Sequence, residues 1–251
     1  MIEEIKKGKK KMTMRIAKFM ARSGVCSRRE AEELIAQGRV TIDGEVVESP
    51  AVNVTGDEKI LLDGEKLPVI QDTRLWLYHK PAGLVTSHKD EKNRATVFDN
   101  LPPNMPRVIS VGRLDLNSEG LLLLTNSGEL SRKLELPTNG WIRRYKVRVF
   151  GTVNPDKLKS LQKGVMVEGV EYGPIKAEVE SKQGANTWLK VALSEGKNRE
   201  IRRVMKSLGL EVSRLIRLSY GPFQLGSLKK GEVKEVPQKV LREQIGAKFE
   251  L

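Results

Sequence analysis

Leu121-Leu122-Leu123-Leu124-Thr125 places four leucines in succession behind Gly120. A strand with no polar alternation has to be buried on both faces. Immediately ahead of it stand Gly112-Arg113-Leu114-Asp115 and Asn117-Ser118-Glu119-Gly120, which is turn chemistry. The chain must therefore lay a two-sided strand through the middle of a layered domain and hold a carboxylate, Asp115, at its entry turn. Desolvation opposes the charge of an acid in such a place, and acids kept there tend to belong to functional sites. As a calcium loop, Asp115 to Gly120 imitates the opening of an EF-hand, but the twelfth position is Asn126 and strands, not helices, flank it. Two readings remain at this level: Asp115 caps a hairpin turn, or it is a nucleophile or base on a rigid strand–turn junction.

Composition narrows the choice of partner. The chain has 251 residues, 39% of them hydrophobic, enough for one large domain or for a small and a medium one. Its formal net charge of +13 favours polyanions, nucleic acid first and an anionic membrane surface second. No apolar run approaches the roughly 20 residues of a membrane span. The basic start, Met1 to Met12, lacks the apolar segment of a secretory signal. One cysteine, Cys26, excludes an internal disulfide, which fits a reducing cytosol. With only His79 and His88 beside it, neither a multi-Cys nor an ordinary His-based metal site can be built. Chemistry is expected to rest on carboxylate, hydroxyl and basic groups rather than on a metal, in a cytoplasmic protein.

After a basic tail over residues 1–13, Ile16, Phe19 and Met20 recur at helical spacing and Gly24 closes the helix. Ser27-Arg28-Arg29-Glu30 has the form of a capping box for a second helix that buries Ala31, Leu34 and Ile35 and ends at Gly38. Val40 and Ile42 alternate up to Asp43-Gly44, a two-residue hairpin turn, and Val46 and Val47 return. Arg15, Lys18, Arg22, Arg28, Arg29 and Arg39 are left for the outer face of this small α+β module, where they suit phosphate contacts or plain solubility. Residues 14–67 resemble the small RNA-binding module of ribosomal small-subunit protein four, on the strength of Ser27 to Ala31, Gly38-Arg39-Val40 and the Asp43-Gly44 turn. Residues 68–73 read as a linker.

Residues 74–251 are mostly strands. Trp76-Leu77-Tyr78 runs into Lys80-Pro81-Ala82-Gly83, where Pro81 and Gly83 enforce a loop. Tyr145, Val147 and Val149 alternate with Lys146, Arg148 and Phe150 in a strand with a basic face. Asn154-Pro155 caps a helix that Gly164 ends, a second helix runs from about Arg199 to Leu208, and a last one follows Pro237. The expected fold class is α+β throughout, the larger domain carrying a mainly antiparallel mixed sheet. In the helix after Asn198, Ile201, Val204, Met205 and Leu208 form the core face. At roughly 100° per residue, Arg199, Arg203 and Lys206 point away from it, while Arg202 lies at its border. A partly buried arginine needs an anion, and Asp115 is the candidate.

Lys80-Pro81-Ala82-Gly83, Gly112-Arg113-Leu114-Asp115 with Ser118-Glu119-Gly120-Leu121-Leu122, and Glu195-Gly196-Lys197-Asn198-Arg199-Glu200-Ile201-Arg202-Arg203-Val204-Met205 stand in the order found in the bacterial ribosomal RNA pseudouridine synthases. Nearly the whole chain resembles that family, N-terminal module included. The resemblance implies that Asp115 is the catalytic residue, isomerising a uridine in RNA without cofactor or metal. It implies further that Tyr145 stacks on the target base, that Arg202 pairs with Asp115, and that an aliphatic residue near Leu218 packs beside the base. Arg113 would fill the gap or position the base that leaves the RNA stack. One departure is Glu200, where glutamine is commoner, and it is expected to affect substrate contacts rather than the reaction. Leu101-Pro102-Pro103 ahead of Val108 to Arg113 looks closer to the large-subunit (23S) enzymes than to the small-subunit (16S) ones. The implied partner is ribosomal RNA in an assembly intermediate, met by a monomer, with no membrane involved. The rival classes are a non-catalytic ribosome-assembly factor and an RNA-processing hydrolase.

Overall fold

A computed structural model describes residues 13–246 and divides the chain into two compact units, Met1–Asp72 and Thr73–Leu251. The basic tail expected over residues 1–13 lies, apart from Thr13, outside the described residues.

In the first unit, helices Ile16–Ser23 and Arg28–Ala36 pack against small antiparallel strands. Gly24, at φ 88°, closes the first helix. The capping box is present: Ser27 Oγ accepts from the Glu30 amide at 3.2 Å, and Glu30 Oε2 accepts from the Ser27 amide at 2.8 Å. Four strands follow in the spatial order Glu45–Val46, Val40–Ile42, Ile60–Leu62, Glu65–Lys66. Asp43-Gly44 makes the first hairpin with positive φ at both residues, and Asp63-Gly64 repeats the device. Ile16, Met20, Ala31, Ile35, Val40 and Ile60 form the core. One expectation is corrected here. Arg39 is not left over, because its Nε and Nη2 donate to Asp63 at 2.8 and 2.6 Å across the neighbouring turn. Arg15, Arg28 and Arg29 are exposed, and Lys18 and Arg22 are half-buried.

The second unit is built on one large sheet. Its main strands are β1 (Leu75–Lys80), β2 (Ser118–Thr125), β3 (Arg143–Phe150), β4 (Ile175–Gln183), β5 (Asn186–Leu193), β6 (Glu211–Tyr220) and β7 (Val233–Glu235). They lie in the order β4-β5-β3-β6-β2-β1-β7, every pair antiparallel except β6 with β2. Its helices are α1 (Gly128–Glu135), α2 (Pro155–Ser160), α3 (Glu200–Ser207) and α4 (Gln238–Ile245). The α+β class and the mainly antiparallel mixed sheet are as expected. Among the described residues no helix is long and apolar enough to cross a membrane.

Every residue of β2 is buried, and its alternation explains how. Leu121 and Leu123 pack with Leu130 and Leu134 of α1 and Leu241 and Ile245 of α4. Leu122 and Leu124 face the other way, against Trp76, Tyr78, Leu84 and Val97. At about 1.5–3 kcal/mol per buried leucine, this strand is the hydrophobic spine of the domain. On the far half of the sheet, Val147, Val149, Leu189 and Val191 pack against Ile201, Val204 and Met205 of α3.

Gly120 sits where β2 meets β6 and has φ +102°. A Cβ there would strike the backbone oxygen of Arg217 and come within 2.6 Å of its nitrogen. Gly120→Ala is therefore expected to remove more than about 3 kcal/mol of stability through collision and backbone strain together. Denaturant unfolding checks this, and a loss below about 1 kcal/mol would show that the two strands can separate freely.

Candidate active site

The turn that carries Asp115 is fastened from three sides. Lys80 ends β1, is fully buried, and aims its ammonium into the turn. Nζ lies 2.9 Å from the Ser118 carbonyl, 3.0 Å from Pro81 O, 3.2 Å from Asp115 O and 3.4 Å from Leu116 O. Thr86 Oγ1 donates to the Leu114 carbonyl at 2.9 Å, and the Gly83 amide donates to Leu116 O at 2.8 Å. The Lys80-Pro81-Ala82-Gly83 segment is thus less a free loop than the clamp on the Asp115 turn. Burial pulls the Lys80 pKa down from 10.5 to about 8, against the nearby charges of Asp115 and Glu119.

Glu119, one residue beyond, is pinned by Arg214 at 2.7 Å and Lys230 at 2.6 Å. The Arg214 hydrogen bond is the largest cause that holds its carboxyl down at about 2. It serves the sheet, leaving Asp115 as the acid that faces solvent.

Asp115, its side chain 30% exposed, opens into a cavity of about 820 Å³. Arg113, Tyr145, Arg202, Leu215 and Arg217 line the same space. Arg202 comes from α3 and is held by two carbonyls, Nη1 donating to Val212 O at 3.0 Å and Nη2 to Asn117 O at 2.9 Å. Its Nε stands 3.9 Å from Asp115 Oδ2. That is a charge pair without a hydrogen bond, and Nε has no hydrogen-bond partner among the described residues. Burial, then repulsion from Arg199, lowers the Arg202 pKa, and Asp115 opposes them.

Arg199 is a correction. Helical spacing turns it away from the core, yet its Nη1 lies 3.7 Å from Asp115 Oδ2. It precedes the first helical residue and adopts the left-handed conformation at φ 51°, so the 100° count does not reach it. Leu218 is a second correction. It is 37% exposed and does not line the cavity, because it lies on the opposite face of β6 from Leu215 and Arg217. The buried Leu215 lines the cavity instead.

Tyr145 is buried on β3, flanked in register by Val191 on β5 and Arg217 on β6. Arg143 ties the loop ahead of α3 in place, donating to the carbonyls of Ser194 and Glu195 and to the hydroxyl of Tyr220. Glu200 is buried, its Oε2 accepting from the Lys197 amide at 2.9 Å, and burial chiefly raises its pKa. Three features escaped the sequence reading: the Lys80 clamp, Leu215 and Arg217. For Arg217 a signal existed, a lone charge inside the apolar Leu215-Ile216-Arg217-Leu218 run.

A rigid carboxylate between two guanidiniums, beside a buried tyrosine in an open cavity, suits covalent or acid–base chemistry on a polyanionic substrate. The comparisons with known proteins agree in class. Residues 74–207 match the model of the RNA pseudouridylate synthases, and residues 14–60 match the S4 domain. An uncharacterized RNA pseudouridine synthase of Rickettsia typhi is 47% identical over 94% of this chain and 96% of its own length. The ribosomal large subunit pseudouridine synthase B of Yersinia pestis is 44% identical over 85% of this chain and 69% of its own. A crystal structure of a pseudouridylate synthase superposes with a TM-score of 0.66 at 27% identity, covering 93% of this chain and all of that one. The chain belongs to the RNA pseudouridylate synthase family, isomerases that act on RNA.

The depressed Lys80 pKa has a sign that can be checked. Between about pH 8 and 10.5 the unfolded chain binds the proton that the folded chain has released, so the group's contribution to stability rises with pH. Relative to Lys80→Met, the wild type should gain roughly 3 kcal/mol across that window. Paired unfolding curves at the two ends measure it, and a difference independent of pH would mean that the buried ammonium is not penalised.

Proposed function

We propose that this chain converts a uridine of large-subunit (23S) ribosomal RNA to pseudouridine, with Asp115 as the catalytic carboxylate. The observation that carries this reading is the Asp115 turn: clamped through its carbonyls by Lys80, faced by Arg199 and Arg202, and open to the cavity that Tyr145 lines. The names of relatives such as the Yersinia pestis enzyme support the large-subunit substrate.

The reaction rearranges bonds within one nucleotide. The C1′–N1 bond breaks with its electron pair passing to the uracil, the ring turns, and C5 bonds to C1′. The proton on C5 departs and N1 gains one, so the balance needs no co-reactant, metal or cofactor. Asp115 acts on the ribose, with the guanidiniums of Arg199 and Arg202 facing its Oδ2 at 3.7 and 3.9 Å. Tyr145 stacks on the base and assists removal of the C5 proton, and Leu215 packs beside the ring. Arg113, exposed at the cavity mouth, takes up the space from which the nucleotide is drawn, an extrusion that costs a few kcal/mol.

Residues 74–251 form the catalytic domain and residues 14–67 the RNA-holding module. Arg15, Lys18, Arg22, Arg28 and Arg29 of that module meet phosphates, and Arg39 does so through its outer edge beside Asp63. The enzyme works as a monomer in the cytosol on an assembly intermediate, before the target uridine is enclosed.

Unmodified 23S and 16S RNA incubated with the chain and mapped by carbodiimide-dependent primer-extension stops test the assignment. The wild type should produce a stop in 23S RNA alone, and Asp115→Ala should lose at least about 10³-fold in rate. No stop on either RNA from the wild type would sink the reading, and equal stops from both proteins would remove Asp115 from its role.

The N-terminal module has its own test. Arg28→Ala with Arg29→Ala should weaken RNA binding and lower the slope of log K against log salt by about 1–2. An unchanged affinity across salt concentrations would count against phosphate contacts there.

A further inference from the structure

Arg217 is a charge without a stated employer. It is 3% exposed, near the middle of β6, and lines the cavity. Its Nε donates to the Leu121 carbonyl at 2.7 Å, and its guanidinium carbon stands 5.3 Å from the ring centre of Tyr220. Nη2 is buried and has no hydrogen-bond partner among the described residues. A buried donor left unmade costs about 1–3 kcal/mol, and more when it belongs to a charged group. Nothing in the packing of β6 requires it, since a leucine or methionine would fill the place more cheaply. The group is held by the seam at Gly120, which faces Arg217 in the parallel register and permits the close approach of the two backbones.

Position says what the donor waits for. Arg217 is the residue of β6 opposite Tyr145 of β3. Side chains so paired on one face of a sheet have their Cβ atoms about 4.5–5.5 Å apart. A ring resting on Tyr145 therefore lies next to the strand position of Arg217, which lines the same cavity. The inner face of β6 also carries Leu215, so that a flat heterocycle meets an apolar wall and a cationic edge side by side.

We propose that Arg217 binds a carbonyl of the target uracil and stabilises the negative charge that the ring acquires when the glycosidic bond breaks. This rests on the pseudouridine reading and adds to it a second basic residue with a different duty: Arg202 serves the carboxylate, and Arg217 serves the departing base. When C1′–N1 cleaves, the bonding pair spreads over the ring onto O2 and O4. A guanidinium N–H···O bond formed with the neutral base, charge-assisted from the start, then becomes a bond between opposite charges. Because the bond strengthens in the course of the step, and does so away from water, it lowers the barrier and does not merely tighten binding. When the ring turns, C5 takes the place of N1 and O2 and O4 exchange places, so the bond to one carbonyl breaks and the same donor takes up the other.

The test separates base chemistry from packing and from phosphate contact. Arg217→Lys and Arg217→Gln are compared with wild type for the single-turnover rate at saturating RNA, for RNA affinity, and for the unfolding midpoint. The expected result is a fall in rate of about 10²-fold or more in Arg217→Gln, with affinity within about threefold of wild type. Arg217→Lys should keep part of the rate, and added methylguanidinium should raise the rate of Arg217→Gln but not that of Asp115→Ala. A folded Arg217→Gln with wild-type rate overturns the proposal. So does a loss that lies wholly in RNA affinity, which would make Arg217 a phosphate contact. Should Arg217→Gln fail to fold, Arg217→Lys decides by the same measures, since it retains stem and charge but not the planar fork. An inactive wild type is a failure of the pseudouridine reading itself, whereas an active wild type with indifferent Arg217 variants is a failure of this inference alone.

Discussion

At Gly120 the backbones of β2 and β6 approach so closely that no side chain fits between them, and this approach decides where the functional groups stand. Pairing here is parallel, Ser118 with Leu215 and Gly120 with Arg217, in a sheet that is otherwise antiparallel along its main path. It joins the half of the sheet that carries Tyr145 and α3 to the half that carries Lys80 and the Asp115 turn. Both edges of the cavity are set by that register. Slipping it by one residue would exchange the faces of β6, turning Leu215 and Arg217 out and Ile216 in. The leucines of β2 guard against such a slip, since each face of the strand is matched to a different layer.

Charge is distributed across the site with comparable economy. Glu119 is closed off by Arg214 and Lys230, and its stabilising contribution is present above about pH 4.5 and fades as pH falls toward about 2. Lys80 is spent on carbonyls rather than on a carboxylate, so it fixes the turn without neutralising Asp115 by direct contact. What reaches Asp115 itself is two guanidiniums at 3.7 and 3.9 Å, too far to occupy its oxygens with hydrogen bonds. An acid so placed keeps its oxygens free toward the cavity.

Much of this architecture was legible in the sequence, because each legible part announces itself locally. The two-sided strand follows from four consecutive leucines. The capping box at Ser27 and Glu30 and the Asp43-Gly44 turn follow from chemistry confined to a few neighbours. Arg202 at the border of a helical face follows from the 3.6-residue period. The failures share a cause as well. Leu218 lies on the face of β6 opposite to Leu215 and Arg217, and which parity faces the cavity is set by the partner strands rather than by the local run. Arg199 escaped because one left-handed residue ahead of α3 breaks the period. Arg39 looked free because Asp63 is distant in sequence and adjacent only across a sheet. Lys80 was visible as a motif, but its duty depends on four carbonyls that no local pattern places together.

The polar groups left unfinished within the catalytic unit are not scattered. Seven buried side-chain atoms lack a hydrogen-bond partner among the described residues, and Ser118, Glu200, Arg202 and Arg217 among their owners line the cavity. Buried polar atoms are ordinarily satisfied, so the concentration of exceptions at one place calls for a physical reason. A cavity meant to hold water would offer its groups outward, where solvent satisfies them. On the reading proposed above, the free energy withheld from folding at Arg217 is released when a bound base supplies an acceptor, and most fully when that acceptor becomes negative. That couples the instability of the empty site to the charge that develops as the glycosidic bond opens.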